Sequence, residues 1–201
     1  MKEFGHWYRR MAHIAASSFV SYYILPDDGW IGILKKVMVL SLLLACLIFD
    51  LVRLKGRGYR FFCLRGYEEG RVGSYVYFVI GTAILLLLFP QQIAIPCIIS
   101  ASLVDPVVGE VRRFSRNLSY IVAFAISFLI FYSAWLTSPC AILVSLISAA
   151  VLVLSELKKF RYIDDDLLMQ IAPAIVMLLL YIILGEGVMP RKLILPPVEV
   201  K

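Results

Sequence analysis

The residues best suited to chemistry follow an apolar run in the middle of the chain. The run occupies positions 93–104, and Asp105, Glu110, Arg112 and Arg113 come after it. Carboxylate oxygens are the ligands that Mg²⁺ takes in proteins, and the planar guanidinium of arginine binds phosphate oxygens in pairs. The stretch therefore predicts a site for a metal ion and a phosphate group, with Asp105 and Glu110 as metal ligands.

The predicted depth of Asp105 supports this interpretation. As a helix the run 93–104 would be about 18 Å long, at about 1.5 Å per residue, whereas the hydrocarbon core of a bilayer is about 30 Å thick. Asp105 would then lie in a recess, where a carboxylate needs protein, water or a cation beside it. The alternative is that Asp105 caps a short interfacial helix beginning at Pro106, because Asp and Pro are favoured at those two positions.

Basic residues near the N-terminus form a second candidate group. Arg10 and His13 are three residues apart, so one face of a helix can hold both, and Arg9 precedes them. The functional interpretation is a phosphate contact from the membrane edge. The alternative is that the basic side chains only reach to the membrane surface, beside an interfacial histidine.

A third group lies late in the chain. Glu156 follows one apolar run, and Asp164, Asp165 and Asp166 open the next. Acids are stabilised at a helix N-terminus, so capping alone explains one or two of the aspartates. The others, with Glu156, predict a contribution to Mg²⁺ positioning, and Asp165 is the candidate ligand.

The composition indicates an integral membrane protein. The chain has 201 residues, 61% of them hydrophobic, and a mean hydropathy of +0.87, whereas soluble domains are about 45–50% apolar. Apolar windows recur along its whole length, so we predict one all-α domain over 1–201, a polytopic helical bundle. The net charge of +6 is explained by orientation and by anionic lipid headgroups, and no nucleic-acid partner is expected.

About seven transmembrane helices are predicted. Six spans remain an alternative, since the fourth run is short, but six would spoil the charge asymmetry described next. The predicted spans are 11–25, 37–52, 74–89, 93–104, 118–136, 140–154 and 167–184.

Basic residues predict the orientation of this bundle. The N-terminal segment and the loops 53–73, 105–117 and 155–166 hold 15 of the 20 Lys and Arg residues. The positive-inside rule therefore makes this side cytoplasmic and the tail 185–201 extracytoplasmic. A cytoplasmic face of mixed charge over an apolar body suits a soluble charged substrate that meets a lipid one.

The order of the motifs resembles one family. An Arg-Arg-x-x-His entry to the first span precedes GYEEGRVGSYVYFVIGTAILLLLFP, then IAIPCIISASLVDPVVGEVRR, then the acidic segments around Glu156 and 164–166. Over roughly 8–184 this resembles the CTP-dependent membrane lipid kinases: dolichol or polyprenol kinase, phytol kinase and the CTP-type diacylglycerol kinase. These are grouped with the cytidylyltransferase-like membrane enzymes.

The resemblance implies roles for further residues. Glu69, Arg71 and Gly73 correspond to the family's conserved stretch before the third span. Asp105 and Pro106 match its Gly-Asp-Pro or Gly-Asp-Ala element, which serves nucleotide and metal binding. With the residues named above, the predicted nucleotide- and phosphate-binding set is Arg9, Arg10, His13, Glu69, Arg71, Gly73, Pro106, Gly109, Arg112, Arg113, Asn117 and Ser119.

Glycines are fewer here than in the family pattern. Val104 stands where the family has Gly before Asp105, and the glycine-rich run after that Asp is reduced to Gly109. Asn117 and Ser119 lie where the family has Lys-Ser-x-Glu-Gly-Ser. Glycines let a backbone approach phosphates closely, so their loss favours a non-catalytic alternative.

The expected function is that of a membrane lipid kinase. It would transfer the γ-phosphate of a nucleotide, CTP by resemblance, to an isoprenoid alcohol or a diacylglycerol-type lipid, with Mg²⁺ as cofactor. Asp105 or Glu156 would orient or deprotonate the lipid hydroxyl. The alternatives are a cytidylyltransferase that forms a CDP-lipid and a degenerate membrane scaffold without catalysis.

Overall fold

The computed structural model describes residues 2–56, 70–157 and 164–196, with side chains from residue 7 onward. All regular structure in these residues is helical, as predicted. The helices are α1 (Lys2–Ala16), a 3₁₀ segment (Ser17–Ile24), α2 (Gly29–Lys55), α3 (Ser74–Leu88), α4 (Gln91–Val111), α5 (Arg116–Trp135), α6 (Ala141–Leu157), α7 (Asp165–Leu184) and a 3₁₀ turn (Glu186–Val188).

Four of these helices are long and apolar enough to cross a membrane: α2, α4, α5 and α7. Helices α3 and α6 are apolar but shorter. The predicted spans 74–89, 118–136, 140–154 and 167–184 agree with α3, α5, α6 and α7 to within a few residues.

The alternative in which Asp105 caps a short helix that begins at Pro106 is wrong. Helix α4 runs without a break from Gln91 to Val111, so both residues lie inside it. Tight packing outweighs the cost of an internal proline, since Val104, Pro106 and Val108 are all buried. The predicted loop 105–117 is correspondingly reduced to the residues between α4 and α5.

The other proline inside α4, Pro96, shows how the structure satisfies a freed carbonyl. A proline has no N–H, so the carbonyl four residues earlier loses its helical donor. Here that carbonyl belongs to Gln92, and the indole Nε1 of the fully buried Trp135 donates to it at 2.8 Å. Helices α4 and α5 are thereby joined at the point where α4 would otherwise be weakened.

The first predicted span, 11–25, is not one α-helix. Helix α1 ends at Ala16 and the chain continues as the 3₁₀ segment. At the junction the hydroxyl of Ser17 donates to the carbonyl of Ile14 at 2.6 Å, a local bond by which serine competes with regular helical bonding.

The predicted loop 26–36 is also too long, because α2 begins at Gly29. Lys35 lies between the predicted spans 11–25 and 37–52. In the structure it is buried within α2, and its ammonium donates to the carbonyl of Leu25 at 2.9 Å and lies 2.7 Å from a carboxylate oxygen of Asp27. An ammonium group with these partners can remain buried on a membrane-length helix.

Helix α4 is the centre of the bundle. Of its apolar window 67% is buried, against 11% for α2. It packs against α1, the 3₁₀ segment, α3, α5 and α7, while α2 packs mainly against α3 at the periphery. Small residues such as Ala94, Ser100 and Ala101 are buried in α4, and they let neighbouring backbones approach closely.

The described part of the C-terminal tail folds back onto one end of the bundle. The N–H of Ile194 donates to Gln91 Oε1 at 2.9 Å, and Gln92 Nε2 donates to the carbonyl of Pro190 at 3.2 Å. The N–H of Arg191 donates to Thr137 Oγ1 at 3.3 Å. The tail therefore lies at the same end as the α3–α4 and α5–α6 turns, which is the grouping that the charge pattern predicts.

Candidate functional site

Three potential metal ligands meet at the opposite end of the bundle. His13 lies in the last turn of α1, Asp105 in α4 and Asp166 in the first turn of α7. Their nearest ligand atoms all lie within 4.8 Å of one another. Helix packing thus joins residues that are more than 50 positions apart in sequence, since α4 packs against both α1 and α7.

Arginines and glutamates pair around this group. Arg10 of α1 forms an ion pair with Glu110 of α4, and Arg113 Nη1 lies 3.4 Å from the other carboxylate oxygen of Glu110. Arg112 forms an ion pair with Glu156 at the end of α6. The side chains of Arg10 and Glu156 are buried, whereas Arg112 and Arg113 remain largely exposed. We call these residues, with His13, Asp105 and Asp166, the charged cluster.

Gly109 lies beside this cluster. A Cβ added to Gly109 would be 3.5 Å from Arg10 Nη2, an ordinary contact distance. The absent side chain leaves the guanidinium of Arg10 lying close over the backbone of α4.

The electrostatics of the cluster follow from burial and mutual proximity. Burial and the nearby Arg113 lower the pKa of Arg10, while Asp105 opposes this. Glu156, two residues beyond the predicted span 140–154, has a raised pKa because burial disfavours its carboxylate; Arg112 opposes the increase. The negative charges of Asp105 and Asp165 also raise the pKa of Glu156, so carboxylates on three different helices influence one another.

The donor set of the cluster fits Mg²⁺. Asp105 and Asp166 supply two carboxylates, and Mg²⁺ in proteins is commonly held by one or two carboxylates together with water and phosphate oxygens. His13 is a less usual ligand for Mg²⁺, because imidazole suits transition metals better. Its place beside the carboxylates fits a contact to a phosphate oxygen instead.

The three successive aspartates form a related acidic group. Ligand atoms of Asp164, Asp165 and Asp166 also lie within 4.8 Å of one another. Asp164 caps α7 by accepting from the N–H of Asp166 at 3.1 Å. Asp166, which the sequence did not single out as a ligand, is the aspartate that meets Asp105, and Glu110 is instead engaged by arginines.

A second polar group, which sequence reasoning missed, joins α2 to the start of α3. Asp50 is buried and accepts from Arg53 Nε at 2.8 Å and from the hydroxyl of Tyr75 at 2.6 Å. The N–H of Gly73 donates to its other oxygen at 3.4 Å. Arg53 also donates to the carbonyl of Arg71 at 2.5 Å. An aspartate inside an apolar run, as Asp50 is, was the available signal.

The remaining predicted residues are distributed around these two groups. Gly73 and Arg71 belong to the Asp50 group through their backbones, and the side chain of Arg71 is exposed. Ser119 donates to the carbonyl of Arg116 within α5, and Asn117 is exposed in the first turn of that helix. Arg9 is half-buried on α1, Pro106 is buried within α4, and Glu69 lies outside the described residues.

A small apolar cavity of about 180 Å³ is lined by one residue from each of the two polar groups. Its walls include His13, Phe19, Tyr75 and Phe78. The imidazole of His13 meets the ring of Phe78 edge-on, with centroids 5.2 Å apart. The wall of the cavity therefore includes one residue of the charged cluster and the tyrosine bonded to Asp50.

Gln170 connects α3 and α7 by bonding to residues of α3 that include Phe78 of the cavity wall. It is fully buried, accepts from the Thr82 hydroxyl at 3.0 Å and donates to the carbonyl of Phe78 at 3.1 Å. Its amide also lies 3.3 Å from the carbonyl of Asp166, one turn earlier in α7. Gln170 thus ties the helix that carries Asp166 to the helix that carries Phe78.

Comparison of the chain with protein-family models, with curated proteins and with solved structures gave no match.

Proposed function

We propose that the protein is a membrane lipid kinase that transfers the γ-phosphate of a nucleoside triphosphate, CTP, to the hydroxyl of a membrane lipid. The acceptor would be an isoprenoid alcohol or a diacylglycerol-type lipid. The observation that carries the proposal is the meeting of His13, Asp105 and Asp166 beside the pairs Arg10–Glu110 and Arg112–Glu156. Two carboxylates that can hold a metal ion, next to several arginines, form a donor set that suits phosphoryl transfer.

In this proposal the carboxylates and arginines have separate roles. Asp105 and Asp166 would hold Mg²⁺, which when bound neutralises charge on the phosphate groups. Arg10, Arg112 and Arg113 would bind phosphate oxygens. Each of these arginines lies against a glutamate, so an incoming phosphate would compete with that glutamate for the guanidinium.

Glu156 would act on the acceptor lipid. When Arg112 turns to the phosphate, Glu156 would be free to orient the lipid hydroxyl and take its proton. The lipid oxygen would bond to the γ-phosphorus as the bond from that phosphorus to the bridging oxygen breaks, and CDP would leave. Its raised pKa, caused first by burial, moves it towards the range in which a carboxylate serves as a general base at neutral pH.

The apolar cavity offers a route for the lipid. Its wall contains His13 of the charged cluster together with the apolar side chains of Phe19, Phe78 and Val79. A lipid hydroxyl could reach the cluster while its chain remains among apolar side chains. In a bilayer such a chain would enter sideways, between α1 and α3.

The decisive experiment compares two labels of one nucleotide. Purified protein in detergent receives Mg²⁺ and a lipid extract supplemented with polyprenol and diacylglycerol. CTP labelled at the γ-phosphate is run beside CTP labelled at the α-phosphate. Label that enters the lipid phase from the γ position alone is the expected result, and chromatography of the product identifies the acceptor.

The other outcomes would replace the proposal. Transfer of the α label would make the protein a cytidylyltransferase that forms a CDP-lipid. If neither label enters the lipid phase, and γ-labelled ATP and GTP transfer no label either, the non-catalytic scaffold is favoured. The small number of glycines around Gly109 would then explain the loss of activity.

A further inference from the structure

We infer that the end of the bundle opposite the charged cluster binds an anionic phospholipid, with one acyl chain in a groove and the headgroup in an adjoining polar pocket. The groove lies between the 3₁₀ segment and α2. The pocket lies where α2, the α3–α4 turn and the C-terminal tail meet. This site is separate from the proposed kinase chemistry and does not depend on it.

The groove exists because α2 packs mainly against α3 and leaves its side towards the 3₁₀ segment open. It has a volume of about 610 Å³ and is lined mainly by apolar side chains, among them Phe19, Tyr22, Met38, Leu42 and Ala45. Ligand pockets in proteins have volumes of about 300–1,000 Å³. The groove is therefore large enough for a lipid chain.

The length of the groove matches one leaflet. Along α2 its lining runs from Lys35 to Ala45, which is about 15 Å at about 1.5 Å per residue. The hydrocarbon core of a bilayer is about 30 Å thick, so one leaflet contributes about half of that. A chain that enters at the Lys35 end would reach about the midplane at Ala45.

The polar pocket continues the groove. It has a volume of about 260 Å³ and shares Tyr22 and Leu86 with the groove. Lys36 and Lys192 contribute to its wall, together with Gln92 and Asp27. Both lysines are exposed. An acyl chain in the groove would thus place its headgroup between two ammonium groups.

The charge of the pocket is positive because its acidic residue is already partnered. A carboxylate oxygen of Asp27 lies 2.7 Å from Lys35 Nζ, and that ammonium also lies 4.3 Å from the centre of the Tyr22 ring. Neither Lys36 nor Lys192 forms an ion pair within the part of the chain that the structure describes. The lysines' charge is therefore available to a lipid phosphate.

The experiment measures lipid retention. Purified protein is equilibrated in detergent with phosphatidylglycerol or phosphatidylcholine of equal chain length, and bound lipid is counted by native mass spectrometry. We expect phosphatidylglycerol to be retained preferentially. The substitutions Lys36→Gln and Lys192→Gln should each weaken that retention about fivefold, from the contribution of one basic residue near an anionic lipid. Lys55→Gln, at the other end of α2, is the matched control and should change nothing.

The groove is tested separately from the charge. Ala45→Trp places a bulky ring at the deep end of the groove and should reduce retention of both lipids, whereas Leu44→Trp, on the exposed face of α2 outside the groove lining, should not. Equal retention in the Lys36→Gln/Lys192→Gln double variant and in the unmodified protein would overturn the headgroup assignment. Displacement of phosphatidylglycerol by excess inorganic phosphate would assign the pocket to a soluble anion instead.

Discussion

At the scale of single residues, the candidate site is a group of charged side chains, several of them buried or partly buried. The arginines and glutamates can lie close together there because each has an oppositely charged partner. Burying an isolated carboxylate or guanidinium is costly, whereas a pair with hydrogen bonds can be tolerated. Arg10 with Glu110 and Arg112 with Glu156 are such pairs. The two ion pairs therefore hold guanidinium groups at a partly buried site, where they would be available to the phosphate of the proposed substrate.

Asp105→Asn is the most direct test at this scale. The amide keeps the shape of the side chain but removes the charge that would hold Mg²⁺ beside Asp166. Lipid phosphorylation should fall by roughly 10²-fold or more, the size of effect seen when an electrostatic contact to a transition state is removed. Initial rates with γ-labelled CTP measure the change.

The control for Asp105→Asn is Glu186→Gln, which neutralises an exposed carboxylate in the 3₁₀ turn after α7, at the other end of the bundle. It should leave turnover unchanged. Turnover that is likewise unchanged in Asp105→Asn, at equal expression, would remove Asp105 from the mechanism.

At the scale of elements, close packing decides where helices begin and how they meet. The sequence pattern at Asp105 and Pro106 favours a helix start, yet α4 continues through both because its flanking residues are buried on several sides. A favourable N-cap residue stabilises a helix start by about 1 kcal/mol. Burial of several apolar side chains along a continuous helix contributes more free energy than that. Such an outcome cannot be read from a local motif.

The start of α2 depends on a glycine. A Cβ added to Gly32 would overlap the backbone carbonyl of Asp27, and backbone atoms cannot move aside as a flexible side chain can. Gly32→Ala should therefore lower the free energy of unfolding by about 1–3 kcal/mol. Thermal unfolding in detergent measures this.

Gly187→Ala is the matched control for Gly32→Ala, because no atom would lie within 4 Å of its new Cβ. It should leave the melting temperature nearly unchanged. If the two variants melt together, the contact between α2 and the preceding segment does not limit stability.

The contact between α3 and α7 depends on Gln170. Gln170→Ala removes the acceptor of the Thr82 hydroxyl and the donor to the carbonyl of Phe78, and it leaves a void between the helices. The expected cost is about 1–3 kcal/mol from the unpaired buried groups. Thermal unfolding detects it, and lipid phosphorylation should fall as well because Asp166 lies one turn away in α7.

Ser133→Ala is a suitable control for Gln170→Ala, because the exposed Ser133 bonds only within its own helix, to the carbonyl of Ile130. A Gln170→Ala protein that unfolds at the same temperature as Ser133→Ala would contradict a structural role for this amide.

At the scale of the whole molecule, the two ends of the bundle differ in chemistry. The charged cluster lies at the end where α1 and α4 terminate and α7 begins. The C-terminal tail and the two lysines of the polar pocket lie at the other end. If the bundle spans a membrane, these two ends face different compartments.

The predicted orientation can be tested with two single cysteines. In a chain whose 4 native cysteines are replaced, Phe114→Cys and Thr137→Cys put exposed thiols at opposite ends of α5. A maleimide that cannot cross membranes should label position 137 in intact cells and position 114 only after permeabilisation, because the basic loops predict a cytoplasmic position 114. Labelling of both in intact cells would contradict a membrane-spanning α5.

Much of the outline could be predicted from sequence, because hydropathy is a local property. Apolar runs of sufficient length specify helices without knowledge of their neighbours, and α3, α5, α6 and α7 agree with the predicted spans. Residue chemistry likewise pointed to Asp105, Arg10, His13 and Glu156 as candidates. Their types and positions were sufficient for that, without any contact being known.

Only the tertiary structure decided which of these candidates meet. Asp105 lies with His13 and Asp166, whereas Glu110 lies with Arg10 and Arg113, and neither outcome follows from spacing along the chain. The buried Asp50 likewise acquired its partners only when α2 and α3 packed together. The physical reason is that a side chain's partners are set by the relative placement of whole helices, which depends on the packing of all their buried faces at once.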